Sequence, residues 1–429
     1  LGRVDHVNYR FDDAIQHFEL YAGTLNKKAA IRKEVAMLIE QSRFADKMVR
    51  HPKDLFVRNL GPTINTPYSD HSPVISRDGK MLLYTTRSNA ANNQVATDGE
   101  YDEEIVEAIR LDADTWNTPR SLSRHLNSRG HDASIQLYDN DTKLLLYRQT
   151  ENGDFYFSVK DHQDWGVPQK VPGNVNTSGY ESDAFISADG STMYFATNHF
   201  SEDGNKDLYI AQKTTKGDWG KPKSLGKIIN TPFDEDSPFL TADGKTMYFT
   251  SRGHNTMGGS DVFVTHFDSV SQTWSEPENM GYPINSPDDD TYFRLNADGT
   301  TAYLSSYRMG GYGEKDIWSI DLSKPVLVRG QIYDQAAGNA DYEIEVVFSS
   351  KPKNNKMLSY TATIAPGGST FEVPVQSGRK YQVTFSKNGQ VFATQECEIQ
   401  ATAAENVVLQ KDFSLSIVKL PKESAAKNN

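Results

Sequence analysis

Hydrophobic and polar positions follow three different rhythms along this chain. Near the N-terminus the apolar residues fall at helical spacing. Phe11, Ala14, Ile15 and Phe18 share one face of NYRFDDAIQHFELYAG, and Ile31, Val35, Leu38 and Ile39 keep phase over a second segment from about Lys27 to Met48. This predicts a pair of α-helices. Through the middle of the chain the apolar residues come in short runs such as MLLYTT, TMYFTS, DFYFSV, DLYIAQ and DVFVTH, separated by Gly, Asn and Asp, which predicts many short strands. After Pro325 the rhythm becomes strict alternation: Ile344, Val346 and Phe348; Phe371, Val373 and Val375; Tyr381, Val383 and Phe385. Side chains on a strand point alternately to its two faces, so this predicts sheets with one face buried.

The middle region is a repeat. Five segments begin at Asn65, Asn127, Asn176, Asn230 and Asn285, spaced 49 to 62 residues apart. Thirteen residues after each Asn stands Asp78, Asn140, Asp189, Asp243 or Asp298, followed by Gly in four of the five, the signature of a tight turn between strands. Eleven residues before four of the Asn residues stands a Trp: Trp116, Trp165, Trp219 and Trp274. Each unit parses as four strands, and radial repetition of such units makes a β-propeller. The last unit ends after DIWSIDL without its Trp segment, while LFVRNL at 55–60 has no strands before it. The two fragments complete one blade. The expectation is a mainly β chain: a five-bladed propeller, with six blades as the alternative, between an N-terminal helical pair and a C-terminal β-sandwich. The expected boundaries are 1–52 for the helices, 53–323 for the propeller, 324–412 for the sandwich and 413–429 for a polar tail.

The strings SPVISRDGKMLLYTT and SPFLTADGKTMYFTS carry a motif that resembles the TolB-like or WD40-like (PD40) propeller repeat. NLGPTINTPYSDHSPVIS resembles its form in Bacteroidetes envelope proteins that join tetratricopeptide helices, a propeller, a carboxypeptidase-regulatory-like domain and an OmpA-like domain. That family includes accessory components of the type IX secretion system. The resemblance covers nearly the whole chain, without an OmpA-like domain. It implies a periplasmic protein associated with the outer membrane. The implied partners are envelope proteins, secretion-system components among them, with peptidoglycan contacted indirectly.

Composition narrows the chemistry. At 429 residues two or three domains are expected. A net charge of -12 argues against a nucleic-acid partner, since phosphate binding depends on Lys and Arg. Cys397 is the one cysteine, so there is no internal disulfide and no thiol pair for zinc. No apolar run reaches the ~18 residues of a membrane span. No cofactor is expected.

Five residues after each repeat Asn there is an acid: Asp70, Asp132, Glu181, Glu235 or Asp290. At the end of the second strand four units carry Arg87, Arg148, Arg252 or Arg308, and the third has Asn198. Antiparallel pairing brings both sets to one rim. They are either ion pairs and turn hydrogen bonds within the blades or a charged ring that binds a ligand. The runs Asp234, Glu235, Asp236 and Asp288, Asp289, Asp290 offer oxygen ligands, but in no known calcium-loop spacing, so they are read as solvated turns and no metal is expected. Ser187-Ala-Asp-Gly-Ser-Thr192 resembles a sialidase Asp-box with one residue missing. No general acid and no nucleophile can be assigned. RMGGYGEKDIW, residues 308–318, looks like a phosphate loop, but a strand follows it and no Ser or Thr follows Lys315, so its glycines are read as a turn. The loop at 88–103 is read as disordered, with a docking element as the alternative. The functional expectation is a non-enzymatic envelope scaffold. The alternatives are a glycan- or peptidoglycan-binding module and a sialidase-like hydrolase.

Overall fold

The computed structural model describes residues 1–26, 31–88, 95, 99–112, 115–123, 125–150, 152–162, 164–201, 203–333, 340–350 and 357–415. Most of the 88–103 loop lies outside the described residues. The chain forms two compact units: Leu1–Ala297 with Thr301–Asp321, and Asp298–Thr300 with the segment from Leu322 on.

The first unit contains a five-bladed propeller. Blade 1 is Asp70–Ile75, Met81–Thr86, Glu104–Ile109 and Arg120–Ser121; blade 2 is Asp132–Tyr138, Lys143–Arg148, Asp154–Asp161 and Gln169–Lys170. Blade 3 is Glu181–Ile186, Thr192–Thr197, Asp207–Gln212 and Lys223–Ser224; blade 4 is Glu235–Leu240, Thr246–Ser251, Asp261–Asp268 and Glu278–Asn279. Blade 5 is Asp290–Leu295, Thr301–Ser306 and Asp316–Asp321, completed by Phe56–Asn59 from the start of the propeller. The innermost strands neighbour one another in order, and that of blade 5 lies against that of blade 1. The ring is closed by the N-terminal strand, as the two incomplete sequence units require.

The second strands read as continuous apolar runs because both faces of every blade are covered. Met81–Thr86 is buried at all six positions. Apolar layers fill the gaps between blades: Leu83, Ile105 and Leu144 between blades 1 and 2, Leu145, Phe155 and Phe195 between blades 2 and 3, Phe185, Leu208 and Phe249 between blades 3 and 4, and Leu82, Val106 and Tyr303 between blades 5 and 1. Burial of this surface is the main stabilising contribution.

The repeat Asn is explained by what its amide does. Asn127 Nδ2 donates to the Ile105 carbonyl at 2.9 Å, and the Ile105 N–H donates to Asn127 Oδ1 at 2.8 Å. Asn65 pairs in this way with Ile317, Asn176 with Phe155, Asn230 with Leu208 and Asn285 with Val262. A primary amide reproduces the donor and acceptor of a peptide unit, so each Asn ties an interblade segment to the third strand of the preceding blade. The turn glycines Gly79, Gly190 and Gly244 have φ of +70°, +70° and +66°, which the Asp-Gly signal anticipates.

Three helices precede the propeller: α1 (Gly2–Val7), α2 (Phe11–Thr24) and α3 (Ile31–Arg50). The pair α2 and α3 is the one the apolar spacing predicts, and residues 27–30 lie outside the described set. Phe11 and Ala45 pack on Met257 of the loop after the second strand of blade 4. Gln41 Nε2 donates to Thr256 Oγ1 and to the Gly258 carbonyl, both at 2.6 Å, and His6 Nε2 lies 2.8 Å from the Met257 carbonyl. The helices are thus fixed to the propeller rim.

The second unit is a sandwich. One sheet is Thr370–Gln376, Pro325–Tyr333 and Val408–Ser414; the other is Ser359–Ile364, Ile344–Ser350, Arg379–Lys387 and Gln390–Ile399. The alternation after Pro325 buries Val326, Val346, Phe348, Phe371, Val383 and Phe413 between them.

Candidate binding site at the mouth of the propeller channel

In every blade the first residue of the innermost strand, the last of the second and the first of the third are paired side by side, as in Asp70, Thr86 and Glu104. Loops around these positions therefore share one face of the propeller, the mouth of its central channel.

The sequence places the acids and arginines at this end, and the structure shows what each touches. Asp70, Asp132, Glu181, Glu235 and Asp290 are fully buried. Each caps the start of its own turn: Asp132 Oδ2 accepts from the Ser128 N–H at 2.5 Å and its hydroxyl at 2.7 Å, and Thr66, Thr177, Thr231 and Ser286 donate in the same way to the other four. Burial pushes Asp70 up to about 6 and Glu235 up to about 7, against these hydrogen bonds. Arg148 donates to Asp132 at 2.7 Å and to the carbonyls of His125 and Leu126. Arg308 pairs with Asp290 and donates to the carbonyls of Pro283 and Ile284. Arg87 reaches the Tyr101 carbonyl and Glu100. Arg252, half exposed, pairs with Asp289 of the next blade at 3.1 Å.

The two acid runs diverge, because successive side chains on a strand point opposite ways. Glu235 enters its own turn, Asp236 meets Lys206, and Asp234 accepts from the Lys206 N–H. Among the described residues no three such groups are arranged to hold a metal ion. Asp189 binds Ser187 and Ser191 within an exposed turn at the end of the blade away from the mouth. In the 308–318 loop the Tyr312 N–H donates to Asp316 at 2.6 Å, and a Cβ on Gly313 would stand 2.4 Å from the Pro67 carbonyl carbon, so the glycines shape a packed turn.

A different set of side chains fills the mouth. Most lie within two residues of the capping acid or just before the third strand, while Arg294 stands four residues beyond its cap and Tyr307 just after a second strand. The innermost strands shift register here, and Ser72, Ser237 and Tyr292 take φ of +52°, +52° and +56°. A bulge re-aims the side chains that follow the cap. Glu103 lies between His71 Nε2 at 3.3 Å and His131 Nδ1 at 3.6 Å. Asp183 and Arg294 form a buried pair at 2.7 Å. Asp236 accepts from Ser182 Oγ at 2.8 Å and pairs with Lys206. The Lys315 ammonium stands 5.7 Å from the Tyr292 ring and 5.3 Å from that of Tyr307, within cation–π reach. His71 stacks on Tyr292.

All five blades contribute. Tyr292 lies in the electrostatic field of Asp236, Tyr180, Asp183 and Glu103, and Lys315 in that of Asp289, Lys206, Asp236 and Arg252. Burial acts to raise Glu103, but His131 and His71 outweigh it and hold that carboxyl well below its ordinary range. Burial pushes Asp183 up to about 6 despite Arg294, and lowers the Lys315 ammonium. Burial keeps the hydroxyls of Tyr180 and Tyr292 protonated. The mouth thus presents fixed carboxylates, cations and phenol donors beside aromatic faces. Apart from Asp236, Asp289, Lys315 and Arg252, and from His71 and His131, which the sequence offers only as loop residues, the sequence pattern does not single these groups out. The available signal was departure from the repeat: the residue after the cap is His71, Ala133, Ser182, Asp236 or Thr291.

No protein-family model matches the chain, and no curated protein matches it. Among solved structures, endo-arabinase from Bacteroides thetaiotaomicron is 14% identical over 63% of this chain and 97% of its own, with a TM-score of 0.41. An alpha-L-arabinofuranosidase from Lactobacillus brevis is 17% identical over 61% and 91%, at 0.38, and TolB from Acinetobacter baumannii is 16% identical over 81% and 70%, at 0.34. The expectation of a non-enzymatic envelope scaffold is corrected by these neighbours. Two of the three are named as carbohydrate-active enzymes, and neither the scaffold nor the absence of enzymatic activity is carried further. At such TM-scores the likeness assigns no reaction to this chain, so function has to be argued from the mouth.

Proposed function

We propose that the channel mouth is a carbohydrate-binding site and that the protein acts on a glycan. The observation that carries this is the presence of Tyr180 and Tyr292, from blades 3 and 5, within a ring of charged pairs supplied by all five blades. A sugar ring offers apolar C–H faces that pack on aromatic rings and hydroxyls that both donate and accept. Carboxylates such as Asp236 and Glu103 accept from those hydroxyls, while Lys206 and the phenols donate to them. Tyr180 is 40% exposed, and Tyr68 and Tyr307 are exposed to a similar extent on the same face, so part of the aromatic surface is open to a ligand. The test is calorimetric titration of the chain with soluble muropeptides and with arabinan, galacturonan and chitin oligosaccharides. Saturable binding to at least one class, weakened tenfold or more by Tyr180→Ala, supports the site. Binding unaffected by Tyr180→Ala and Lys206→Ala sinks it.

Glycosidic-bond hydrolysis is a second reading, favoured by the opposite shifts of Glu103 and Asp183. Two carboxyl groups in one mouth, one held ionised and one pushed to about 6, are what such hydrolysis needs: one takes a proton from the attacking water and the other gives one to the leaving oxygen. At rest both Asp183 oxygens are engaged, by Arg294 and by the Ala184 N–H, so binding would have to free one of them. Release of reducing ends from a bound oligosaccharide, lost in Glu103→Gln, tests it. The sequence resemblance to envelope proteins with tetratricopeptide helices and a regulatory-like sandwich supports a periplasmic location, where wall glycans are within reach. Cell fractionation that finds the protein only in the cytoplasm would count against this.

A further inference from the structure

A second opening adjoins the mouth. Between α3 and the rim of blades 4 and 5 lies a groove of about 960 Å³, within the size range of small-molecule pockets. Arg252 and Asp289 line it, and the same two residues act electrostatically on Lys315 in the mouth. The Asp289 carbonyl accepts from the Tyr307 N–H at 3.3 Å, and the Tyr307 ring lies 5.3 Å from the Lys315 ammonium, so the groove adjoins the mouth through Asp289 and Tyr307. The lining is apolar on both sides, with Met37 and Phe44 on α3 and Phe233, 41% exposed, on the propeller side, while Lys33 stands among the charged residues of the helical wall. The fixed wall is α3, held to the propeller through Gln41.

We infer that this groove continues the mouth site and holds further sugar units of an oligosaccharide chain, so that the ligand is recognised by length and not as a single terminal sugar. This rests on the carbohydrate reading of the mouth. The adjacency of the two openings through Asp289 and Tyr307 favours one ligand spanning both. An exposed aromatic ring, Phe233, beside charged side chains suits a second sugar ring as Tyr180 suits the first. An extended peptide would gain its affinity from a free strand edge, and the groove is walled by a helix and turns.

The experiment is calorimetric titration of the full chain with arabinan, galacturonan and chitin oligosaccharides of one to eight units. In the series that binds, Kd is expected to fall at least tenfold between two and six units. Phe233→Ala should abolish that gain and leave the affinity for the two-unit sugar unchanged. Met37→Glu, on the other wall, should do the same, which guards against a folding effect of either change. Equal affinity for two and six units overturns the inference while leaving the mouth reading intact, as does a length gain that survives both variants. Failure of every series to bind overturns both.

Discussion

The side chain of Asn65 and the backbone of Ile317 exchange two hydrogen bonds, at 3.0 Å and 2.8 Å, across 252 positions of sequence. The contact lies where the propeller ring closes. Both residues are fully buried or nearly so. Asn65→Leu should leave the buried Ile317 N–H unmatched, while the Ile317 carbonyl keeps the Leu60 N–H at 3.1 Å, at a cost of about 1–3 kcal/mol. Denaturant unfolding followed by tryptophan fluorescence should show the loss, and an unchanged midpoint would contradict this role.

Arg252 and Arg308 stand one and two residues past the second strands of neighbouring blades but should behave differently. Arg308 is buried against fully buried Asp290 and binds two carbonyls, so Arg308→Ala should cost roughly 3–5 kcal/mol. Arg252 is 49% exposed, and Arg252→Ala should cost no more than about 1 kcal/mol. Thermal denaturation of the two variants side by side checks the ranking.

Stability should fall as pH rises from about 4.5 to about 7. Glu235 has a folded pKa of about 7 against an ordinary value of 4.5, raised first by burial. A carboxyl that holds its proton more tightly when folded stabilises the fold fully below its unfolded pKa, and this is lost as pH climbs through the folded value. Asp70, at about 6, acts in the same direction. Glu103, held low by its histidines, acts oppositely below about 4.5. The melting temperature should therefore be higher at pH 5 than at pH 8, and Glu235→Gln, which mimics the protonated form, should flatten that slope.

In the sandwich, a Cβ on Gly330 would lie 2.1 Å from the Phe371 ring. Gly330→Ala should destabilise this unit by about 1–3 kcal/mol through overpacking. The mouth belongs to the other unit, so glycan affinity should not change. A loss of affinity in this variant would point to a site elsewhere.

The architecture was legible because it rests on repetition. The Asn that mimics a peptide, the acid that caps the next turn and the Asp-Gly corner each recur at fixed offsets, and their recurrence gives the blade count and the ring closure. The mouth was less legible for the same reason. Glu103, Lys206 and Lys315 hold equivalent places before the third strands of blades 1, 3 and 5, whereas Gly153 and Ser260 hold them in blades 2 and 4. Chemistry specific to one blade appears as noise to a search for sameness. The recurring acids cap the turns, Arg148 and Arg308 brace them, and most channel residues lie within two positions of the caps or just before the third strands. The helices were visible from apolar spacing, but the groove they form with blade 4 depends on Gln41 meeting Thr256 and Gly258, a contact no local pattern contains.

The most direct test of the carbohydrate site is a crystal structure of the chain with an oligosaccharide that binds it. The account predicts a sugar ring in the channel mouth, packed on Tyr180 or Tyr292 with hydroxyls within hydrogen-bond distance of Asp236, Glu103 or Lys206. An oligosaccharide bound to the sandwich or to an outer blade edge, with the mouth left to solvent, would contradict it.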